Sequence, residues 1–250
     1  RRREDNVMFG RRKRAKESVV EPDPETLDEL DEDEVEAGEA ELDEPTDKWA
    51  ALDVSRDWRS EGPFDIEEVD LDADEIERLD FGCVVLTPFD GMQLQLQVDQ
   101  KTQQVQAALV MYENSAIEIA LFAAPAHTSM VGDVRDEMVT TTQSHGGRVA
   151  LAEGPFGTEV RRAVPLKDSK GNDAVHVSRT WFAQGPRWLL RGVVMGEAGQ
   201  VSGIDGPTEM LYEFFANTVV RRDSSPKVPG DLIPMTLPAA LEAAATTAKG

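Results

Sequence analysis

The chain has 250 residues, 40% of them hydrophobic and 30% charged, with a formal net charge of -22. No apolar run reaches the roughly 20 residues a membrane-spanning helix needs, and one cysteine supplies neither an internal disulfide nor, by itself, a Cys-based metal site. The acidity argues against a nucleic-acid binder, but it is unevenly placed: the net charge is +5 over residues 1–20, -23 over 21–80 and -4 over 81–250.

The stretch Met8-Phe9-Gly10-Arg11-Arg12-Lys13-Arg14 reads as a natural start, which would make residues 1–7 an extension. The bases are followed by Ala15, Lys16, Glu17 and Ser18 rather than an apolar core, so a secretory signal is not expected and the cytoplasm is the default compartment. Arg11, Arg12, Lys13 and Arg14 have two readings: a phosphate-binding tract, or a solvated end that partly neutralises the acids behind it. Residues 21–47 hold 15 acids, no base and no aromatic, and are interrupted by Pro22, Pro24 and Pro45. Such a stretch buries too little apolar surface to offset its ordering entropy and repels itself, so residues 1–48 are expected to be a disordered arm.

Large apolar groups return with Trp49, Leu52, Val54, Trp58, Phe64, Ile66 and Val69, and residues 49–80 are expected to dock on a core. Asp70-Leu71-Asp72-Ala73-Asp74 opens like a calcium loop. Glu75 then stands where the sharp turn needs glycine, and Phe81 where the bidentate acid should be. Residues 72–80 read instead as a short acidic helix.

From Phe81 the period becomes that of strands. Cys83–Leu86 is a short apolar run, and Met92–Val98 alternates strictly, with Met92, Leu94, Leu96 and Val98 on one side and three glutamines on the other. Strands follow at 105–111 and 116–122, then a helix over 130–144 with Met130, Val134 and Met138 on one face, ended by Gly146-Gly147. Strands at 148–153 and 158–165 flank a Gly154-Pro155-Phe156-Gly157 turn. A hairpin joins 174–182 to 188–195, and Pro207 opens a helix over 207–220. Four prolines from Pro226 to Pro238 mark an extended segment along the surface, and 239–250 is an Ala-rich tail. Strands, helix, strands, helix define an α+β class: an antiparallel sheet covered by helices, spanning 81–238.

Familiar chemistries are missing from the sequence. It has no G-x-S-x-G elbow, no phosphate-binding G-x-x-x-x-G-K-[ST] loop and no H-E-x-x-H. His127, His145 and His176 have no metal-ligand spacing; His176 lies between two valines of a strand and faces away from them, and Cys83 reads as a core residue. Two features remain. Arg161, Arg162, Arg179 and Arg191 lie on neighbouring strands and form either a patch for an anion or acidic partner, or salt bridges with surface acids. Trp181 and Trp188 flank the Gln184-Gly185-Pro186 turn, as cross-strand core partners or as an exposed recognition edge.

The Met8-Phe9-Gly10-Arg11-Arg12 start, Arg59-Ser60-Glu61-Gly62-Pro63-Phe64-Asp65, Leu79-Asp80-Phe81-Gly82 and Thr180-Trp181-Phe182-Ala183-Gln184-Gly185-Pro186-Arg187-Trp188 resemble an actinobacterial domain-of-unknown-function family over nearly the whole chain. The resemblance implies a gene near that of dUTPase and assigns no catalytic residue. The layout is also similar to the Mog1/PsbP-like α/β/α arrangement, which implies a binding or assembly module. The expectation is therefore a cytoplasmic, non-enzymatic protein without a cofactor, metal or membrane insertion, which recognises a protein partner. Alternatives are nucleic-acid association through the basic tract, and a nucleotide-metabolism enzyme in which His127 or His176 would meet Cys83.

Overall fold

The computed structural model describes residues 45–238, with side chains from Lys48 onward. The basic tract, most of the acidic stretch and the Ala-rich tail lie outside the described residues. Chain order runs α1 (Pro45–Asp53), β1 (Phe64–Asp65), β2 (Leu79–Asp80), β3 (Val84–Leu86), β4 (Gln93–Val98), β5 (Val105–Tyr112), β6 (Ser115–Ala123) and α2 (Val131–Ser144). It continues through β7 (Arg148–Gly154), β8 (Gly157–Lys167), β9 (Asp173–Gly185), β10 (Trp188–Gly196), α3 (Glu197–Gln200), α4 (Glu209–Ala216) and β11 (Val219–Val220).

The main sheet has seven strands in the order β4-β5-β6-β10-β9-β8-β7, every neighbouring pair antiparallel. Hairpins account for most of this order, because alternation and short turns favour pairing of consecutive strands. The exception is β6 beside β10, which the helix α2 and the β7–β9 meander separate in sequence. A second sheet of short strands has the order β1-β11-β3-β2, and its Val84, Leu86 and Val220 share the core of the main sheet. The class is α+β.

One face of the main sheet, the core face, carries Ala108, Val110, Ile117, Ile119, Leu121, Trp181, Leu190 and Val194. Val84 and Leu86 of β3 and Leu211, Phe214 and Phe215 of α4 close over it. Burying each large side chain stabilises by about 1.5–3 kcal/mol, so this face holds most of the folding energy. On the other face α2 lays Met130, Val131, Val134 and Met138 on Val160, Phe182, Leu189, Val149 and Leu151. That packing covers mainly β7–β9, and the same face of β4, β5, β6 and the far half of β10 carries no described helix.

Four local expectations need correction. Residues 72–80 form no helix. Asp70 and Asp74 accept hydrogen bonds from the backbone two residues on, at Asp72 and Ile76, and Arg78 forks onto Asp74, so side chains compete with helical bonds and turns result. The last helix ends at Ala216 rather than 220: Asn217 caps it, and the β-branched pair Val219-Val220 becomes a strand between β1 and β3. Val98 leaves the alternation and is 46% exposed, because the β4–β5 register shifts at Gln97/Val98. The Pro-rich segment is not a pure surface layer, since Ile233 and Met235 are buried and it bridges to Phe122 and Val105.

Candidate functional site

The four arginines lie on both faces of the sheet. Cross-strand partners share a face, and Arg161 pairs in register with Arg179 while Arg162 pairs with Ser178. Arg161 and Arg179 therefore belong to the core face with Trp181, and Arg162 to the opposite one. Arg191, in register with Phe182, joins Arg162 there.

Arg179 and Glu159 form a buried ion pair, each side chain 1% exposed, with Nη2 to Oε2 at 2.9 Å. The carboxylate also accepts from Arg161 Nε at 2.7 Å and Trp181 Nε1 at 2.8 Å. Arg179 Nη1 donates to the Val201 and Gly203 carbonyls, both at 2.9 Å. Charge and hydrogen-bonding capacity are both answered within the fold, which is what a buried ion pair requires. These two arginines bind the chain's own carboxylate and loop.

Trp181 and Trp188 are 1% and 0% exposed. They are not each other's cross-strand partners: Trp181 opposes Gly192 and Trp188 opposes Gly185. A Cβ on Gly185 would stand 2.2 Å from the Trp188 ring, and one on Gly192 would stand 2.7 Å from the Phe215 ring, so glycine makes room for each aromatic group. Trp188 Nε1 donates to Asp65 at 2.7 Å, which ties β1 to the main sheet. The aromatic pair is core, not a recognition edge.

Arg162 and Arg191 are different. They sit on the face that α2 covers only in part, together with His176, Ser178 and Thr180 of β9 and Glu118 of β6. Ser178 and Thr180 are 0% exposed. Four buried polar atoms here have no hydrogen-bond partner: Arg162 Nε, Ser178 Oγ, Thr180 Oγ1 and Arg191 Nε. Burial first, and the neighbouring Arg191 second, push the Arg162 guanidinium below its ordinary pKa; Glu118 opposes them. Burial and then Arg162 likewise lower His176. Glu118 is the acid of the group, accepting from Arg191 Nη2 at 3.2 Å and Gln97 Nε2 at 2.6 Å. Strand spacing and rise place Arg162 and Arg191 roughly 16 Å apart at Cα, with the Ser178–Thr180 stretch of β9 between them. The result is an elongated cationic cradle with unused donors.

Alternation could have separated the two faces, because residues 162, 176, 178, 180 and 191 fall on one face once the β8–β9 and β9–β10 turns are fixed. Residue type groups the four arginines but not their faces; His176 faces away from the valines, as its strand period implies, and register joins it to Ser178 and Thr180.

The strap after α1 makes a further concavity of about 390 Å³, lined in part by Trp58, His127, Ser129, Phe182 and Gln184. Arg56 stacks on Trp58 at 3.7 Å. The strap is anchored by Asp53, which accepts from the buried Arg135 at 2.6 Å and from the Thr158 amide at 2.8 Å. Cys83 is elsewhere, its Sγ 3.5 Å from the Pro234 carbonyl, and burial pushes its thiol up to about 11. The charges of Arg222, Asp80 and Asp223 act on it more weakly than burial does. No group of three or more His, Cys, Asp or Glu that could hold a metal ion occurs among the described residues. Nor does any of their helices have the length and apolarity to cross a membrane.

Residues 62–244 match the family described as "Protein of unknown function (DUF3710)", and the chain belongs to that family. No curated protein matches. Among solved structures, a crystal structure of a protein from Bacteroides thetaiotaomicron is similar at a TM-score of 0.34 and 11% identity, over 61% of this chain and 49% of that one. The chain thus spans about half the length of that protein.

Proposed function

We propose that this chain is a non-enzymatic binding protein whose half-open sheet face holds an acidic segment of a protein partner, with Arg162 and Arg191 as the charged contacts. One observation carries the reading: four buried polar atoms without partners fall together on one face. An unpaired buried donor costs about 1–3 kcal/mol, and native folds keep such groups few. Ser178 and Thr180 are wholly buried, but Arg162 and Arg191 are only half-buried, so their guanidiniums can turn to acceptors that a ligand supplies. Two guanidiniums on β8 and β10, close enough for Arg191 to lower the Arg162 pKa, suit a ligand rich in carboxylates. The block that carries the cradle is nearly neutral, at -4 over residues 81–250, so the field opposing an acidic ligand comes from residues 21–80 and is screened at moderate salt.

The finer expectations stand on the sequence: the location on the polar residues that follow the basic tract, the others on the resemblances. These are a cytoplasmic location, an actinobacterial lineage with a dUTPase neighbour, and a Mog1/PsbP-like layout; helix α2 on one face and α4 on the other are consistent with that layout.

The test is a titration of the full chain with a labelled Asp/Glu peptide, followed by fluorescence anisotropy. Arg162→Gln and Arg191→Gln should each weaken binding by at least about tenfold. Lys167→Gln, at the exposed far end of β8, should leave it unchanged. No saturable binding by the wild type, or equal binding by all variants, refutes the assignment.

A further inference from the structure

We propose that β4 is a self-association edge: two copies of this chain pair β4 to β4 about a twofold axis and join their sheets. β4 is the outermost strand on one side of the main sheet and is paired only with β5. Sheet edges left free in solution are commonly blunted by charge, proline or a covering element. Here Met92–Val98 holds no charge, proline or glycine. Gln93, Gln95 and Gln97 are exposed, and Leu94 and Leu96 half-buried.

The sequence of this edge is its own mirror. Gln93-Leu94-Gln95-Leu96-Gln97 reads the same in both directions, so a twofold about Gln95 sets like side chains opposite like: amide against amide and leucine against leucine. With the axis at Gln95, Gln93 meets Gln97 of the second copy and Leu94 meets its Leu96. The axis stands perpendicular to the sheet, so faces are preserved: glutamines form a ladder on one side and leucines pack together on the other. Gln97 already donates its amide to Glu118, which leaves its carbonyl oxygen to accept from Gln93 across the interface. A parallel arrangement or a foreign strand does not use the palindrome.

The test is the mass of the full chain in solution, by light scattering over about a hundredfold range of concentration. The wild type should pass from monomer to dimer. Gln95→Lys sets two lysines opposite each other on the axis and should raise the dissociation constant by at least about tenfold. Gln95 is exposed, so an unchanged circular dichroism melt verifies the fold of the variant. In a Cys83→Ser background, Gln95→Cys should cross-link two chains on mild oxidation, because residues opposed across antiparallel strands lie about 4.5–5.5 Å apart at Cα. A wild type that stays monomeric, a Gln95→Lys chain that dimerises equally well, or a Gln95→Cys chain that does not cross-link, overturns the proposal.

Discussion

Arg162 and Arg179 are two arginines of adjacent strands for which the structure predicts opposite effects on stability. Arg179 is 1% exposed, paired with Glu159, and donates to the Val201 and Gly203 carbonyls. Arg179→Met keeps most of the aliphatic volume but leaves a buried carboxylate with only the Arg161 and Trp181 donors and two loop carbonyls without theirs. Breaking a buried pair costs about 3–5 kcal/mol, and the surviving donors place this one near 3 kcal/mol. Arg162 has a buried Nε without a partner and stands near another guanidinium. Arg162→Met removes an unmet donor and a like-charge repulsion, and should be neutral or stabilising by up to about 1 kcal/mol. Urea unfolding read by tryptophan fluorescence measures both from the midpoint at constant slope. If Arg162→Met destabilises as much as Arg179→Met, the cradle is structural and the argument from its unmet donors fails.

Three further outcomes follow from the same geometry. His176 should titrate below its ordinary value of 6.5, since burial and then Arg162 lower it, and Arg162→Met should move it upward in an NMR titration. A base whose pKa falls on folding is protonated more readily in the unfolded chain, so its contribution to stability is full above pH 6.5 and is lost as pH falls from 6.5 toward the folded value; a His176 pKa unmoved in Arg162→Met contradicts the contact. Cys83, its thiol pushed up to about 11 by burial, should resist iodoacetamide at pH 8 in the native state and react on unfolding, as read by mass spectrometry; rapid native labelling would contradict that burial. Gly192→Ala drives a methyl to 2.7 Å from Phe215 and should destabilise by about 1–3 kcal/mol in the same urea assay, whereas a neutral result would mean the α4 contact yields.

The alternation of Met92–Val98, the Met130/Val134/Met138 stripe and the glycine-marked turns made most strands of the main sheet and α2 legible in the sequence, because each is a local period with a local boundary. The 72–80 turns were not, because Asp70 and Asp74 capture backbone amides that a helix would have used. The extra turn assigned to α4 was lost to pairing of Val219-Val220 with strands more than 100 residues away in sequence. For the site, residue type pointed to arginines but not to their faces. Arg161 and Arg162 are adjacent in sequence and on opposite sides of the sheet, a distinction that depends on register with Ser178 and Arg179. Glu159, the partner that removes Arg179 from any outside role, is 20 residues away and gave no local signal.

The central claim is that the face carrying Arg162, His176, Ser178, Thr180 and Arg191 receives an acidic segment. Its most direct test is an NMR titration of the full chain with the unlabelled Asp/Glu peptide, following arginine Nε–Hε and backbone resonances. The account predicts shifts at Arg162 and Arg191, a raised His176 pKa in the complex, and unmoved signals from Arg179 and Trp181 on the other face. Shifts confined to the Trp58 cleft or absent from Arg162 and Arg191 would contradict it.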